Sequence, residues 1–124
     1  MKIIRECLTC GKKAYTIADI EEFKKNKNKP YGVEAKCKQC DRDRRYAFYG
    51  ITRKEYENMI IQQDNKCAIC HSAFTKTPHI DHNHDNGKVR GILCAGCNHA
   101  LGLFKDNTDA IIRAIAYVEK GRNI

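Results

Sequence analysis

The chain has 124 residues, carries 23 Lys and Arg against 15 Asp and Glu for a net charge of +8, and contains eight Cys but no Trp. That length limits it to one domain or two very small ones, with a core too thin to hold together by burial alone. No apolar run approaches a membrane span, and the start, MKIIREC, has no apolar stretch or small-residue cleavage site, so the reading is no membrane and an intracellular chain whose thiols stay reduced.

In chain order, Cys7 and Cys10 form a first Cys-x-x-Cys turn, released by Gly11. Residues 16–25 read as a helix capped by Thr16, with Ile17, Ile20 and Phe23 on one side. The Lys-Asn run, Pro30 and Gly32 break that pattern. A second pair, Cys37 and Cys40, opens a basic helix that runs to about Tyr49 and is closed by Gly50. Thr52 and Glu55 form a capping box for the next helix, with Tyr56, Met59, Ile60 and Gln63 at helical spacing. Cys67 and Cys70 make a third pair.

PHIDHNH and KVRGILC then flank DNG, a strong signal for a β-hairpin. Strict alternation puts His79, Asp81 and Asn83 on one face and Ile80, His82 and His84 on the other. Bringing Asp81 and His82 to one target therefore needs a bulge or a bend, and the sequence shows none. A fourth pair, Cys94 and Cys97, leads into a helix with Asn98 in its first turn. The last segment, NTDAIIRAIAYVEKGRN, is an amphipathic helix capped by Asn107 or Thr108, with Ile111, Ile115 and Val118 inward and Gly121 at its end.

Four Cys-x-x-Cys pairs with no Cys left over point to zinc rather than to disulfides or redox pairs. Two pairs complete one tetrahedral site, so the chain is expected to hold two structural zinc ions. The similar gaps leave sequential, nested and crossed pairings open. Sequential is simplest: Cys7, Cys10, Cys37 and Cys40 on one ion, and Cys67, Cys70, Cys94 and Cys97 on the other. The basic runs KKNKNK and RDRRY, on a zinc-stapled chain of positive charge, point to nucleic acid as partner.

The order CAIC, IDHNHD, GKVRGILCAGCN, then ALG and a following Asp, over about residues 50–118, resembles the ββα-metal (HNH) nucleases and, within them, the recombination endonuclease VII family. The resemblance implies an α+β fold with a ββα-metal core in residues 50–124. Residues 1–49 are expected to form an additional N-terminal four-cysteine zinc module that contacts DNA. The resemblance further implies a metal-dependent DNA endonuclease in which Asp81 and Asn98 hold one catalytic divalent ion, Mg²⁺ or alternatively Mn²⁺. His82 matches the general base, and His84 matches a histidine on the phosphate. Water attack would leave a 5′-phosphate and a 3′-hydroxyl. Arg90, beside these residues on the second strand, with Lys88 and with Arg42, Arg44 and Arg45 of the basic run, is expected to contact the DNA backbone. If the source is a phage, the site of action is the cytoplasm of its bacterial host.

Two departures limit the likeness. The first Cys-x-x-Cys set has no counterpart in endonuclease VII, and that enzyme's long C-terminal region is not matched. Junction resolution and a dimer therefore do not carry over, and monomer and homodimer stay equally open. Other chemistries fit worse. A zinc finger built on His82 and His84 with one Cys pair would idle Cys94 and Cys97, and the two His are too closely spaced for it. A zinc deaminase needs a His-x-Glu and a Pro before its Cys pair, and neither is present. His71, His79 and His99 read as surface or supporting residues. The competing class is a non-catalytic zinc-stabilised DNA-binding module with the nuclease shape.

Overall fold

The computed structural model describes residues 2–122, and the chain divides into two compact units, Met1–Tyr56 and Glu57–Ile124. The architecture is α+β: three two-stranded antiparallel sheets and four α-helices. No described helix is long and apolar enough to cross a membrane.

In the first unit, β1 (Arg5–Glu6) pairs with β2 (Lys13–Ala14) around the first Cys turn. Gly11 makes that turn possible: its φ of 75° is left-handed, and its N–H donates to the Cys7 carbonyl. β3 (Phe23–Lys25) pairs with β4 (Val33–Cys37), which leads into α1 (Lys38–Phe48). The core is small. Cys7, Ala14, Phe23, Val33 and Cys37 are buried together, with Ile20 and Cys40 packed against them. Arg5 clamps β4 from outside by donating to the Val33 and Glu34 carbonyls.

The helix expected over residues 16–25 does not form. A short 3-10 turn (Asp19–Glu22) stands in its place and runs directly into β3. Asp19 turns its carboxylate back to the Tyr15 and Thr16 N–H groups, and Thr16 caps the Asp19 N–H in return. These local bonds fix a turn, and pairing β3 with β4 buries Phe23 almost completely, at 1% exposed. Tertiary burial thus overrides a weak helical period. The basic helix ends where expected: Tyr49 caps α1, and Gly50 follows at φ 74°. Buried Tyr46 of α1 stacks on Tyr56, with ring centroids 4.4 Å apart, and Asp43 forms a two-pronged ion pair with Arg53. That guanidinium holds the Asp43 carboxyl below its ordinary value.

α2 (Arg53–Gln62) begins with the expected capping box: the Thr52 hydroxyl accepts from the Glu55 N–H and meets its carboxylate. Beyond its end, Gln63 reaches β6. Its amide oxygen accepts from the Ile92 N–H at 2.9 Å, and its amide nitrogen donates to the Ile92 carbonyl at 2.8 Å. β5 (His79–His82) and β6 (Val89–Leu93) form the hairpin, followed by α3 (Ala95–Leu103) and α4 (Thr108–Arg122).

Two expectations for this unit change. The hairpin does not turn tightly at Asn86-Gly87. β5 stops at His82, and residues 83–88 form a loop closed by Asn83 N–H to the Lys88 carbonyl, so His84 and Lys88 lie off the strands. Asn83 stops the strand because its side chain accepts from the Asp85 N–H and fixes an Asx turn. In α4, Asn107 is the cap, accepting from Ala110 N–H, but the apolar stripe does not face a core. Ile111 is half-buried, whereas Ile115 and Val118 are exposed. Gly121 lies inside the helix, and residues 123–124, on which its ending would depend, lie outside the described residues.

Candidate metal centres and hairpin–helix site

The Cys pairs resolve sequentially. Cys7, Cys10, Cys37 and Cys40 bring their sulfurs within 4.8 Å of one another, and so do Cys67, Cys70, Cys94 and Cys97. Four sulfurs at the usual Zn–S length of about 2.3 Å stand about 3.8 Å apart. The Cys10–Cys37 and Cys70–Cys94 separations are 3.7 and 3.9 Å, which match that tetrahedron and are far too long for disulfides. Each set combines a turn with a helix start: Cys37 caps α1 and Cys94 caps α3.

The thiols of each set differ in how readily they ionise. Burial pushes Cys7 and Cys67 up, but N–H groups of each turn and of the facing pair outweigh it and lower both to about 6. Burial and the neighbouring sulfurs push Cys40 and Cys97 up to about 12. In each set one thiol thus ionises readily and opposes ionisation of its neighbours, a charge pattern that a bound divalent ion would relieve. Both four-cysteine sets fit structural zinc on geometry and on charge.

The second set sits at the base of the hairpin and holds the start of α3. Asn98 follows Cys97 in the first turn of that helix, its N–H donating to the Cys94 carbonyl, and the residue is half-buried. On the hairpin, Asp81 pairs with Gly91, but His82 pairs with Val89. Arg90 is therefore an extra residue in β6, and the bulge falls between Asp81 and His82, where simple alternation would have separated them. Burial breaks step at the same place: Ile80 and Asp81 are both buried, although they are consecutive.

Asp81 is a carboxylate 8% exposed, and Arg90 covers both its oxygens, Nε to Oδ2 at 2.8 Å and Nη2 to Oδ1 at 3.1 Å. The same Nη2 reaches Asp106 Oδ2 at 3.2 Å. Bonds from Asp81 push the Arg90 pKa further up, with Asp106 adding to them. Asp106 Oδ2 also stands 3.8 Å from His84 Nε2. The His84 and His82 rings stack, centroids 4.7 Å apart and planes 29° from parallel. A cavity of about 490 Å³ opens beside this group, lined by His84, Arg90, Lys105 and Asp106 among others.

Asp81, His82, His84 and Arg90 thus gather on one hairpin, with Asp106 joining from the α3–α4 connection. Asp106 carried no role in the sequence reading. Its one signal was the Asp that follows ALG. His71, His79 and His99 are exposed, and Lys88 is exposed beside Val89.

The basic run on α1 is placed less uniformly. Arg42 and Arg44 are exposed, bonded to Gln39 and Asp41 on their own helix. Arg45 is half-buried, lies over the Tyr46 ring at 5.7 Å, and has a buried Nε without a hydrogen-bond partner.

Comparison with known proteins places this site in context. The family model described as recombination endonuclease VII matches residues 42–120, more than half of the chain. The Gene 59 protein of Mycobacterium phage D29 is 42% identical over 77 residues, covering 60% of this chain and 47% of the relative. The Gene 59 protein of Mycobacterium phage L5 is 41% identical over 75 residues, covering 58% and 46%. The chain therefore spans about half the length of the curated relatives it matches. Among solved structures, that of the ββα-Me type II restriction endonuclease Hpy99I aligns over 97% of this chain and 71% of its own, with 27% identity and a TM-score of 0.42. With the hairpin, the second Cys set and the whole of the Asp81 group lying in the matched segment, the chain belongs to the recombination endonuclease VII family.

Proposed function

We propose that the protein is a metal-dependent endonuclease that hydrolyses DNA phosphodiester bonds, with residues 50–124 carrying the chemistry and residues 1–49 carrying DNA affinity. The observation that supports this reading is the bulged hairpin, which carries Asp81 and the stacked His82–His84 pair directly before the Cys-anchored helix that bears Asn98. Family membership supports it.

Asp81 and Asn98 would hold the catalytic ion. A carboxylate and a carboxamide are the oxygen donors Mg²⁺ prefers. Asp81 and Asn98 together offer two such donors, and Mg²⁺ keeps several waters besides its protein ligands. When bound, such an ion supplies charge neutralisation at the phosphate and stabilises the leaving oxygen.

The chain's own residues do the rest. His82 takes the proton from the attacking water. The water oxygen bonds to phosphorus as the bond to the 3′-oxygen breaks, and the 3′-oxygen takes a proton from solvent, leaving a 5′-phosphate and a 3′-hydroxyl. His84, at the mouth of the cavity, donates to a phosphate oxygen and holds it in line. Purified protein should nick supercoiled plasmid with Mg²⁺ and stop with EDTA. Asp81→Ala and Asn98→Ala should bind DNA nearly as well as the parent while cleavage collapses.

A second reading, a zinc-stabilised DNA-binding module without catalysis, draws on one observation: Arg90 already occupies both oxygens of Asp81. Nicking that Mg²⁺ fails to support at any concentration would favour it.

Arg42, Arg44, Arg45 and Lys88 would contact the phosphate backbone. Neutralising Arg42, Arg44 and Arg45 together should weaken binding to all sequences alike. It should also flatten the salt dependence by up to about one unit of log–log slope for each phosphate no longer neutralised. Arg42 and Arg44, being exposed, should account for most of that change. The check is DNA affinity at several salt concentrations in Ca²⁺, paired with single-turnover cleavage in Mg²⁺, which should change little once DNA is bound. An unchanged slope would mean that these arginines serve the fold alone.

A further inference from the structure

Arg90 sits in a contested place. A guanidinium that donates to both oxygens of a buried carboxylate makes a strong charge-assisted pair, and its positive charge stands where another cation would have to approach. Arg90 is also the extra residue of the bulge, so its backbone is not locked into the regular ladder. Its guanidinium is 37% exposed and lines the cavity, so it has room to swing.

A second acceptor is already in reach. Asp106 Oδ2 accepts from Arg90 Nη2 at 3.2 Å. The aim of that carboxylate is built into the backbone. Lys105 and Asp106 are consecutive residues in the left-handed region, at φ 53° and 54°. Asp is one of the few non-glycine residues that take this conformation readily, and Asp64 and Asn65 make the same kind of turn after α2. The turn is held to the end of α3: Lys105 N–H donates to the Gly102 carbonyl and Asp106 N–H to the Leu101 carbonyl. It leaves the Asp106 carboxylate within reach of the arginine that covers Asp81.

We propose that Arg90 is a resident cation on Asp81 that a divalent ion must displace, and that Asp106 is the seat to which its guanidinium moves. This rests on the reading of Asp81 as a ligand of the catalytic ion. Both residues are positioning residues. Arg90 keeps a buried carboxylate neutralised until the ion arrives, and Asp106 makes its release possible. An uncompensated Asp81 would otherwise burden the fold.

The test is Mn²⁺ binding to the zinc-loaded full chain without DNA, followed by the electron paramagnetic resonance of free Mn²⁺. Asp81→Ala should abolish binding. Asp106→Asn leaves Arg90 leaning wholly on Asp81 and should weaken Mn²⁺ by about tenfold, the scale of one charge-assisted bond. Arg90→Gln should tighten it. In the Arg90→Gln background, Asp106→Asn should change affinity by less than about twofold, because the residue it acts through is gone.

That last comparison separates relay through Arg90 from plain charge, since a simple electrostatic effect of Asp106 would persist without Arg90. Zinc content should stay near the parental value, while Arg90→Gln, which leaves the buried Asp81 uncompensated, should melt lower until Mn²⁺ is added. If Arg90→Gln sheds zinc, Arg90→Lys keeps a charge but loses the fork and should still tighten Mn²⁺. Mn²⁺ binding that survives Asp81→Ala would overturn the metal-site reading and this inference with it. Binding that needs Asp81 but ignores Asp106→Asn, or that weakens equally in both backgrounds, would overturn this inference alone.

Discussion

His82→Ala is expected to lose nicking by at least about a hundredfold, the usual contribution of a positioned acid–base group. His82 is the last residue of β5, half-buried, and pairs with Val89 just past the bulge. Its ring stacks on that of His84, so its position is set from the strand on one side and from the loop on the other. Zinc content and DNA affinity should stay at parental levels, because the zinc ions are assigned to the Cys sets and DNA affinity to the basic run. Single-turnover cleavage in Mg²⁺, beside DNA binding in Ca²⁺, reads the two effects apart. A variant that cuts as well as the parent would place the general base elsewhere, with His84 the first candidate.

Cys94→Ser should do something different in kind: it should unfold the hairpin–helix unit. The second unit has little else to hold it. Its buried side chains among the described residues are Cys67, Ile80, Asp81, Ile92 and Leu93, and neither α3 nor α4 buries a residue. Cys94 is a member of the Cys set and also the cap of α3, its sulfur accepting from the Cys97 N–H at 3.4 Å. Metal and fold are thermodynamically one event in such a unit, and a structural zinc is worth on the order of 10 kcal/mol. Elemental analysis should fall from two zinc ions per chain to one. The first Cys set should keep its ion, while circular dichroism loses helix and cleavage disappears. Two zinc ions with an unchanged melting curve would show that Cys94 is no ligand.

The sequence announced the parts of this molecule that depend on local chemistry. Cys-x-x-Cys turns, the Thr52–Glu55 box and Asn98 one residue past Cys97 all follow from short spacings, and each stands where the spacing put it. Features that depend on distant partners were hidden. Phe23 has a helical neighbourhood, yet it is claimed by β4 because burial beside Cys7 and Cys37 stabilises more than one turn of helix. The bulge at Arg90 leaves no trace in VRGIL, where apolar and polar residues give no sign of an extra position. Asp106 owes its place to a left-handed turn after α3, whose direction towards Arg90 no local propensity would suggest. In α4 the period was right and the partner was not: Ile115 and Val118 form a stripe that the described chain does not cover.

Gln63 gives the hairpin a property that ordinary two-stranded sheets lack. An exposed strand edge is a template on which a strand from another molecule can pair, and this is how small sheets seed aggregates. The Gln63 carboxamide imitates a peptide group and occupies both the donor and the acceptor of Ile92, while the Ala68 N–H shares the same carbonyl. On that side Ile92 already has its donor and its acceptor paired within the chain, so the edge offers an incoming strand no free peptide group at that residue.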